Sequence, residues 1–209
     1  MDAVLFDMDG VIVDTEAFWQ AREAEVILPA AVAEGNPDQA EIRGINYRET
    51  YDYLAERYEM ALDREAFLDR YEEAAVDLYE ETELLPGFHD LLADLRERGC
   101  GIAIVSSSPR HWIERVVERF DLDVDVVVST EDVDGPGKPA PDVYVVAAER
   151  VGAAPADCVA VEDSPNGVRA ATRAEILTIA YGGDPEAVEL ADRAAADPEA
   201  LREALREAP

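Results

Sequence analysis

The chain has 209 residues, 48% of them hydrophobic, enough to bury one full core and a small second one, and its 48 acidic against 18 basic residues leave a net charge of −30. Acids spread over the whole length are expected to repel DNA, RNA and anionic membranes, which argues against those partners. No apolar run reaches the roughly 18 to 20 residues that span a bilayer, and the opening MDAVLFDMDG lacks a basic segment followed by an apolar stretch, so a cytoplasmic protein is expected.

The first apolar run, residues 3–6, is continuous instead of alternating, as suits a strand buried on both faces, and it ends in Asp7-Met8-Asp9-Gly10. Residues 15–84 then read as a helical insert without a convincing strand, with helices over 16–28, 36–43, 47–58 and 64–81 and breaks at Gly35-Asn36-Pro37 and Gly44. Beyond it, apolar runs at 101–105, 124–128, 158–161 and 176–180 alternate with amphipathic stretches at 86–98, 109–120, 141–151 and 165–173, each opening with a proline. The tail 191–209 reads as helical and charged. A βαβα rhythm of this kind predicts an α/β fold, a doubly wound and mostly parallel sheet with helices on both faces. The domain reading is a core of 1–14 and 85–209, interrupted by a cap of 15–84. The insert leaves after the first strand, and ligands of open α/β sheets bind at the strands' C-terminal edge, so a lid is expected.

Four segments carry candidate chemistry. Asp7 and Asp9 follow a buried strand, where two like charges losing hydration demand a cation or a shared proton; a plain Asp-Gly turn is the bland alternative. Ser106-Ser107-Ser108 ends another strand where a helix begins, so its hydroxyls and N–H groups could hold phosphate oxygens, although serines there also serve as simple caps. Lys138, in Gly137-Lys138-Pro139-Ala140-Pro141, is the only lysine among the 18 basic residues, which suggests a site that needs a compact ammonium over a solvent-facing loop position. Glu162 and Asp163 put two more acids at a strand end, suited to Mg²⁺ with its preference for oxygen ligands, or to a capped helix start. Cys100 and Cys158 lack metal-site spacing and read as small buried thiols.

In this order and over nearly the whole chain, the four segments resemble the motifs of the haloacid dehalogenase superfamily. The helical insert resembles that family's C1 cap, near phosphoglycolate phosphatases, sugar-phosphate phosphatases and β-phosphoglucomutase. The resemblance implies a Mg²⁺-dependent phosphatase of small phosphorylated metabolites. In that reading Asp7 is the nucleophile that becomes phosphorylated, Asp9 the general acid and base, Ser106 a hydrogen-bond donor to the phosphoryl group with Ser107 beside it, and Lys138 the neutralising cation. The Mg²⁺ shell would hold the Asp7 carboxylate, the Asp9 carbonyl and Asp163, with Glu162 close by or coordinating. The second aspartate argues against dehalogenation, since dehalogenases lack it. Arg48 resembles the cap arginine with which β-phosphoglucomutase grips a distal phosphate, but it also suits a helix's first turn facing solvent. Trp19 stands where such mutases carry a histidine, which favours a hydrolase over a mutase, and a buried cap residue is its plainer reading. A non-catalytic binding or regulatory protein on the same scaffold is the remaining alternative. A monomer or small homo-oligomer is expected. The dispersed acid with so little lysine resembles proteins of salt-accumulating halophiles such as haloarchaea.

Overall fold

The structure, a computed structural model, describes all residues except Asn36, Arg43 and Gly44 and the side chains of Glu16 and Ala40. The chain forms two compact units, Met1–Asp14 with Glu83–Pro209, and Thr15–Thr82.

Strand β1 (Ala3–Phe6) is buried at every position. The second unit follows, with α1 (Glu16–Arg22), a π-helical turn (Glu23–Ile27) and α2 (Leu28–Ala31). Strand β2 (Val32–Glu34) comes next, then a 3₁₀ turn (Gln39–Glu41), α3 (Tyr47–Ala55), β3 (Glu59–Met60) and α4 (Arg64–Glu81). The expected single helix over 16–28 thus changes pitch at Glu23. The expectation of no strand in this segment is corrected, because β2 and β3 pair antiparallel; both are too short to leave a readable alternation. Of the helix expected over 36–43, only the 3₁₀ turn is seen, and Asn36 and Arg43 lie outside the described residues, as do the breaks at Asn36 and Gly44. Helices α3 and α4 start where Asn46 and Asp63 accept the N–H groups of Arg48 and Ala66.

The first unit continues with α5 (Phe88–Glu97), β4 (Gly101–Ser106), α6 (Arg110–Phe120), β5 (Val126–Ser129) and α7 (Asp142–Val151). It ends with β6 (Cys158–Glu162), α8 (Pro165–Arg173), β7 (Leu177–Tyr181), α9 (Pro185–Leu190), β8 (Arg193–Ala195) and α10 (Pro198–Arg206). The tail is therefore not helical throughout. Its three-residue strand pairs at the sheet edge with β7, a contact that no local pattern announces. Helix α9 was absent from the sequence reading, yet Asp184 caps it and Pro185 opens it. Of the four helix-opening prolines expected, only Pro165 lies inside its helix; Pro86, Pro109 and Pro141 precede theirs.

The sheet is wholly parallel, in the order β5-β4-β1-β6-β7-β8. Leu5, Val105 and Ala160 face a core shared with Tyr144 and Ala147 of α7 and Ala171 of α8. One residue on, Phe6 turns to the other face and meets Phe88 of α5 edge-on at 5.3 Å. This is the period-two alternation of a strand buried on both sides. Chain order moves from β1 to β4 and β5 on one side, then returns to β6 on the other. The C-terminal ends of β1, β4 and β6 consequently meet at the switch point where open α/β sheets bind ligands.

Candidate active site

Asp7 extends β1 by one step, its N–H donating to the Val161 carbonyl at 2.9 Å, so its side chain is launched from the rigid centre of the sheet. The chain then turns sharply: the N–H groups of Ile12 and Val13 donate to the Met8 carbonyl at 2.9 and 3.1 Å. Gly10 sits at φ +80°, and a Cβ there would overlap the Asp163 carboxylate. Glycine is thus required twice over, by backbone sign and by the approach of an acid.

Lys138 is the hub of the site. Its ammonium lies 2.6 Å from Asp7 Oδ1, 2.6 Å from Glu162 Oε1 and 3.0 Å from the Val105 carbonyl. Three donors meet three acceptors, which is the full capacity of an ammonium. The group is 9% exposed, and its two charged partners outweigh the cost of burial and hold its pKa above the ordinary lysine value. The Tyr144 hydroxyl donates to the same Glu162 oxygen, and the ammonium sits 5.3 Å from the Tyr144 ring centre. Behind Glu162, a Cβ on Gly167 would overlap its carboxylate, so only glycine lets the first turn of α8 close on this buried acid. Ser164 caps that turn through the Gly167 N–H at 3.1 Å.

Lys138 stands among several acids at once. One carboxylate oxygen from each of Asp7, Glu162 and Asp163 lies within 4.8 Å of the other two. Burial, helped by the neighbouring charges of Glu162 and Asp9, outweighs the pull of Lys138 and raises the Asp7 carboxyl to about 7. Asp163 is likewise held well above the carboxylate range by burial and by Asp7 and Glu162. Hard oxygen donors whose charge exceeds that of their only lysine fit a hard divalent cation, which would relieve their mutual repulsion.

The serine turn after β4 completes the arrangement. Buried Ser106 accepts the Ser108 N–H at 3.0 Å, the Ser107 carbonyl accepts from Thr130 at 3.3 Å, and the Ser108 hydroxyl donates to Asp9 Oδ2 at 2.7 Å. Asp7, Asp9, Ser106, Ser107, Lys138, Glu162 and Asp163 all belong to the first unit. Trp19 and Arg48 belong to the second, on one aromatic cluster: Trp19 lies 5.6 Å from Tyr71, Tyr71 lies 5.4 Å from Tyr47, and the Arg48 guanidinium lies 5.4 Å from the Tyr47 ring. Sequence reasoning missed Tyr144 and gave no part to Gly167, which closes the fourth segment, or to Ser108. A tyrosine on the buried face of α7 was a usable signal, since a buried phenol needs a partner.

A profile described as haloacid dehalogenase-like hydrolase matches residues 1–175. The chain belongs to this family. Among its haloacid dehalogenase-like relatives, hexitol phosphatase B of Escherichia coli is 34% identical over 192 residues, covering 85% of this chain and 82% of that protein. The phosphorylated carbohydrates phosphatase of Thermotoga maritima is 34% identical over 191 residues, covering 87% and 85%. The crystal structure of CbbY from Rhodobacter sphaeroides in complex with phosphate superimposes with a TM-score of 0.79 at 26% identity, covering 94% of each chain. As a haloacid dehalogenase-like hydrolase, the chain carries its acids at strand ends of the family's parallel sheet.

Proposed function

We propose that this hydrolase is a Mg²⁺-dependent phosphatase of small organic phosphate monoesters, of the sugar-phosphate or phosphoglycolate type, working through an aspartyl-phosphate on Asp7. The observation that carries this reading is Lys138 clamped between Asp7 and Glu162, with Asp163 beside them and Asp9 two residues past Asp7. The likeness to two phosphatases of phosphorylated carbohydrates supports it.

The Asp7 carboxylate attacks phosphorus, and the bond to the alcohol oxygen breaks as Asp9, in its acid form, protonates that oxygen. Asp9, now a carboxylate, takes a proton from water, whose oxygen attacks phosphorus and breaks the bond to Asp7. Inorganic phosphate leaves and both aspartates return to their starting states. Lys138 offsets the repulsion between carboxylate and phosphate dianion, and Ser106 donates to a phosphoryl oxygen. Mg²⁺, held by Asp7, Asp163 and the Asp9 carbonyl with Glu162 adjacent, would supply further charge neutralisation at the phosphoryl group. The Trp19 indole N–H can donate a hydrogen bond but neither releases nor takes up a proton near neutral pH as a histidine does, which favours the hydrolase over a sugar-phosphate mutase.

The test uses a ³²P-labelled hexitol or hexose phosphate. Wild type should release phosphate only with Mg²⁺ and give a hydroxylamine-labile label on rapid acid quench, and Asp7→Asn should do neither. Turnover by Asp7→Asn within a few-fold of wild type would sink the nucleophile assignment. With β-glucose 1-phosphate and a trace of its 1,6-bisphosphate, fast formation of glucose 6-phosphate with little free phosphate would instead favour the mutase.

A further inference from the structure

Ser108 stands immediately before Pro109, the N-cap residue of α6. Its hydroxyl donates to Asp9 Oδ2 at 2.7 Å, joining residues 99 positions apart.

Ser108 is itself held from both ends. Its N–H donates to Ser106 Oγ at 3.0 Å, and its carbonyl accepts from Ser129 Oγ at 2.8 Å. Ser129, the last residue of β5, is locked in turn: its N–H donates to Asp132 Oδ2 at 2.9 Å and its Oγ accepts the Glu131 N–H at 3.1 Å. Asp132 is gripped by the Arg110 guanidinium, with Arg150 at 3.5 Å, and Arg110 also donates to the Val127 carbonyl at 3.1 Å. A continuous set of bonds therefore runs from α6 and α7 through the end of β5 to one oxygen of Asp9.

We infer that Ser108 is a positioning residue for Asp9: its hydroxyl anchors Oδ2 and so presents Oδ1 to the reacting alcohol or water oxygen. A carboxyl that gives a proton and then takes one must offer the same oxygen at both steps. A serine hydroxyl donating to Oδ2 is compatible with both forms, because the acid form then carries its proton on Oδ1. Asp9 follows a turn and is only half-buried, and a bond from a serine that is itself held at both ends narrows the rotamers open to its carboxyl. The inference rests on the reading of Asp9 as the acid that protonates the leaving oxygen.

Leaving-group dependence tests it. A sugar alkoxide needs a proton to depart, whereas nitrophenolate departs without one, so kcat/KM is measured for a hexose 6-phosphate and for p-nitrophenyl phosphate with wild type, Ser108→Ala, Ser108→Thr and Asp9→Asn. Ser108→Ala should lose about 10- to 100-fold on the sugar phosphate, the range expected for one hydrogen bond to a charged group, and no more than about 3-fold on the aryl phosphate. The sugar-phosphate loss should fall on kcat with KM nearly unchanged, and Ser108→Thr, which keeps the hydroxyl, should recover most of it. Equal loss on both substrates, no loss, or no recovery in Ser108→Thr while Asp9→Asn remains selective for the sugar phosphate would overturn the role of Ser108 alone. Equal loss by Asp9→Asn on both substrates would remove Asp9 as the acid, and the inference with it.

Discussion

At Lys138 a single ammonium bridges two buried carboxylates, and what replaces it decides what fails. Lys138→Met leaves Asp7 and Glu162 facing each other without a counter-charge, and breaking a buried pair in this way costs about 3–5 kcal/mol. Lys138→Arg keeps the charge but brings a larger planar fork into a space filled by three acceptors, so turnover should still be lost. Denaturant midpoints and phosphate release check both, and an arginine variant as active as wild type would refute the tight-site reading. A second residue-scale prediction concerns Glu23, in the π-helical turn. Burial raises its carboxyl from 4.5 to about 7, against donors from Tyr71 at 3.1 Å and Gln39 at 3.5 Å. An acid with a raised folded pKa binds its proton more tightly in the folded state, so this stabilisation is full at low pH and is lost as pH climbs through that window. Glu23→Gln cannot ionise, so its stability relative to wild type should grow between about pH 5 and about pH 8. A difference that stays constant across that range would show that Glu23 does not titrate there.

Among elements, α8 shows how a backbone requirement is hidden in a motif. Gly167→Ala would drive a methyl into the Glu162 carboxylate, so the first turn of α8 or the Lys138 clamp must shift; a loss of about 1–3 kcal/mol with a fall in turnover is expected. Gly183→Ala is the control, because nothing lies within 4 Å of the added methyl, and it should stay within about 0.5 kcal/mol of wild type. Thermal or denaturant melts of the pair decide it, and equal effects would refute the steric account. The long elements were legible beforehand: β1, β4, β6 and β7 are apolar runs, and α4, α6, α7 and α8 carry a helical period. Strands β2, β3 and β8 were not, because a two- or three-residue strand exists through its partner alone. The change of pitch at Glu23 escaped for a related reason, since one residue's difference in bonding leaves the apolar spacing almost unaltered.

Over the whole molecule the net charge of −30 opposes compactness. Arginines pair locally, as Arg96 does with Asp123 and Asp125 and Arg206 with Asp94, but 18 basic residues cannot offset 48 acids. The Debye length falls to about 3 Å at 1 M salt, so the melting temperature should rise markedly from low to molar KCl. A melting temperature indifferent to KCl would remove the halophile reading. Among the described residues no helix is long and apolar enough to cross a membrane.

By itself the sequence determined the parallel α/β core, because strand burial and the turn residues after each strand are local properties written in consecutive residues, and its four motifs carried the resemblance to the family that the profile match shows. It also singled out Asp7, Lys138, Glu162 and Asp163, since scarce lysine and paired acids at apolar strand ends are conspicuous in one dimension. Only the tertiary structure decided that Lys138 bridges Asp7 and Glu162, that Tyr144 shares the Glu162 oxygen, and that Ser108 bonds to Asp9. A hydroxyl's partner is chosen by which groups the sheet order brings within 3 Å, and that order joins residues 18 to 131 positions apart in the chain.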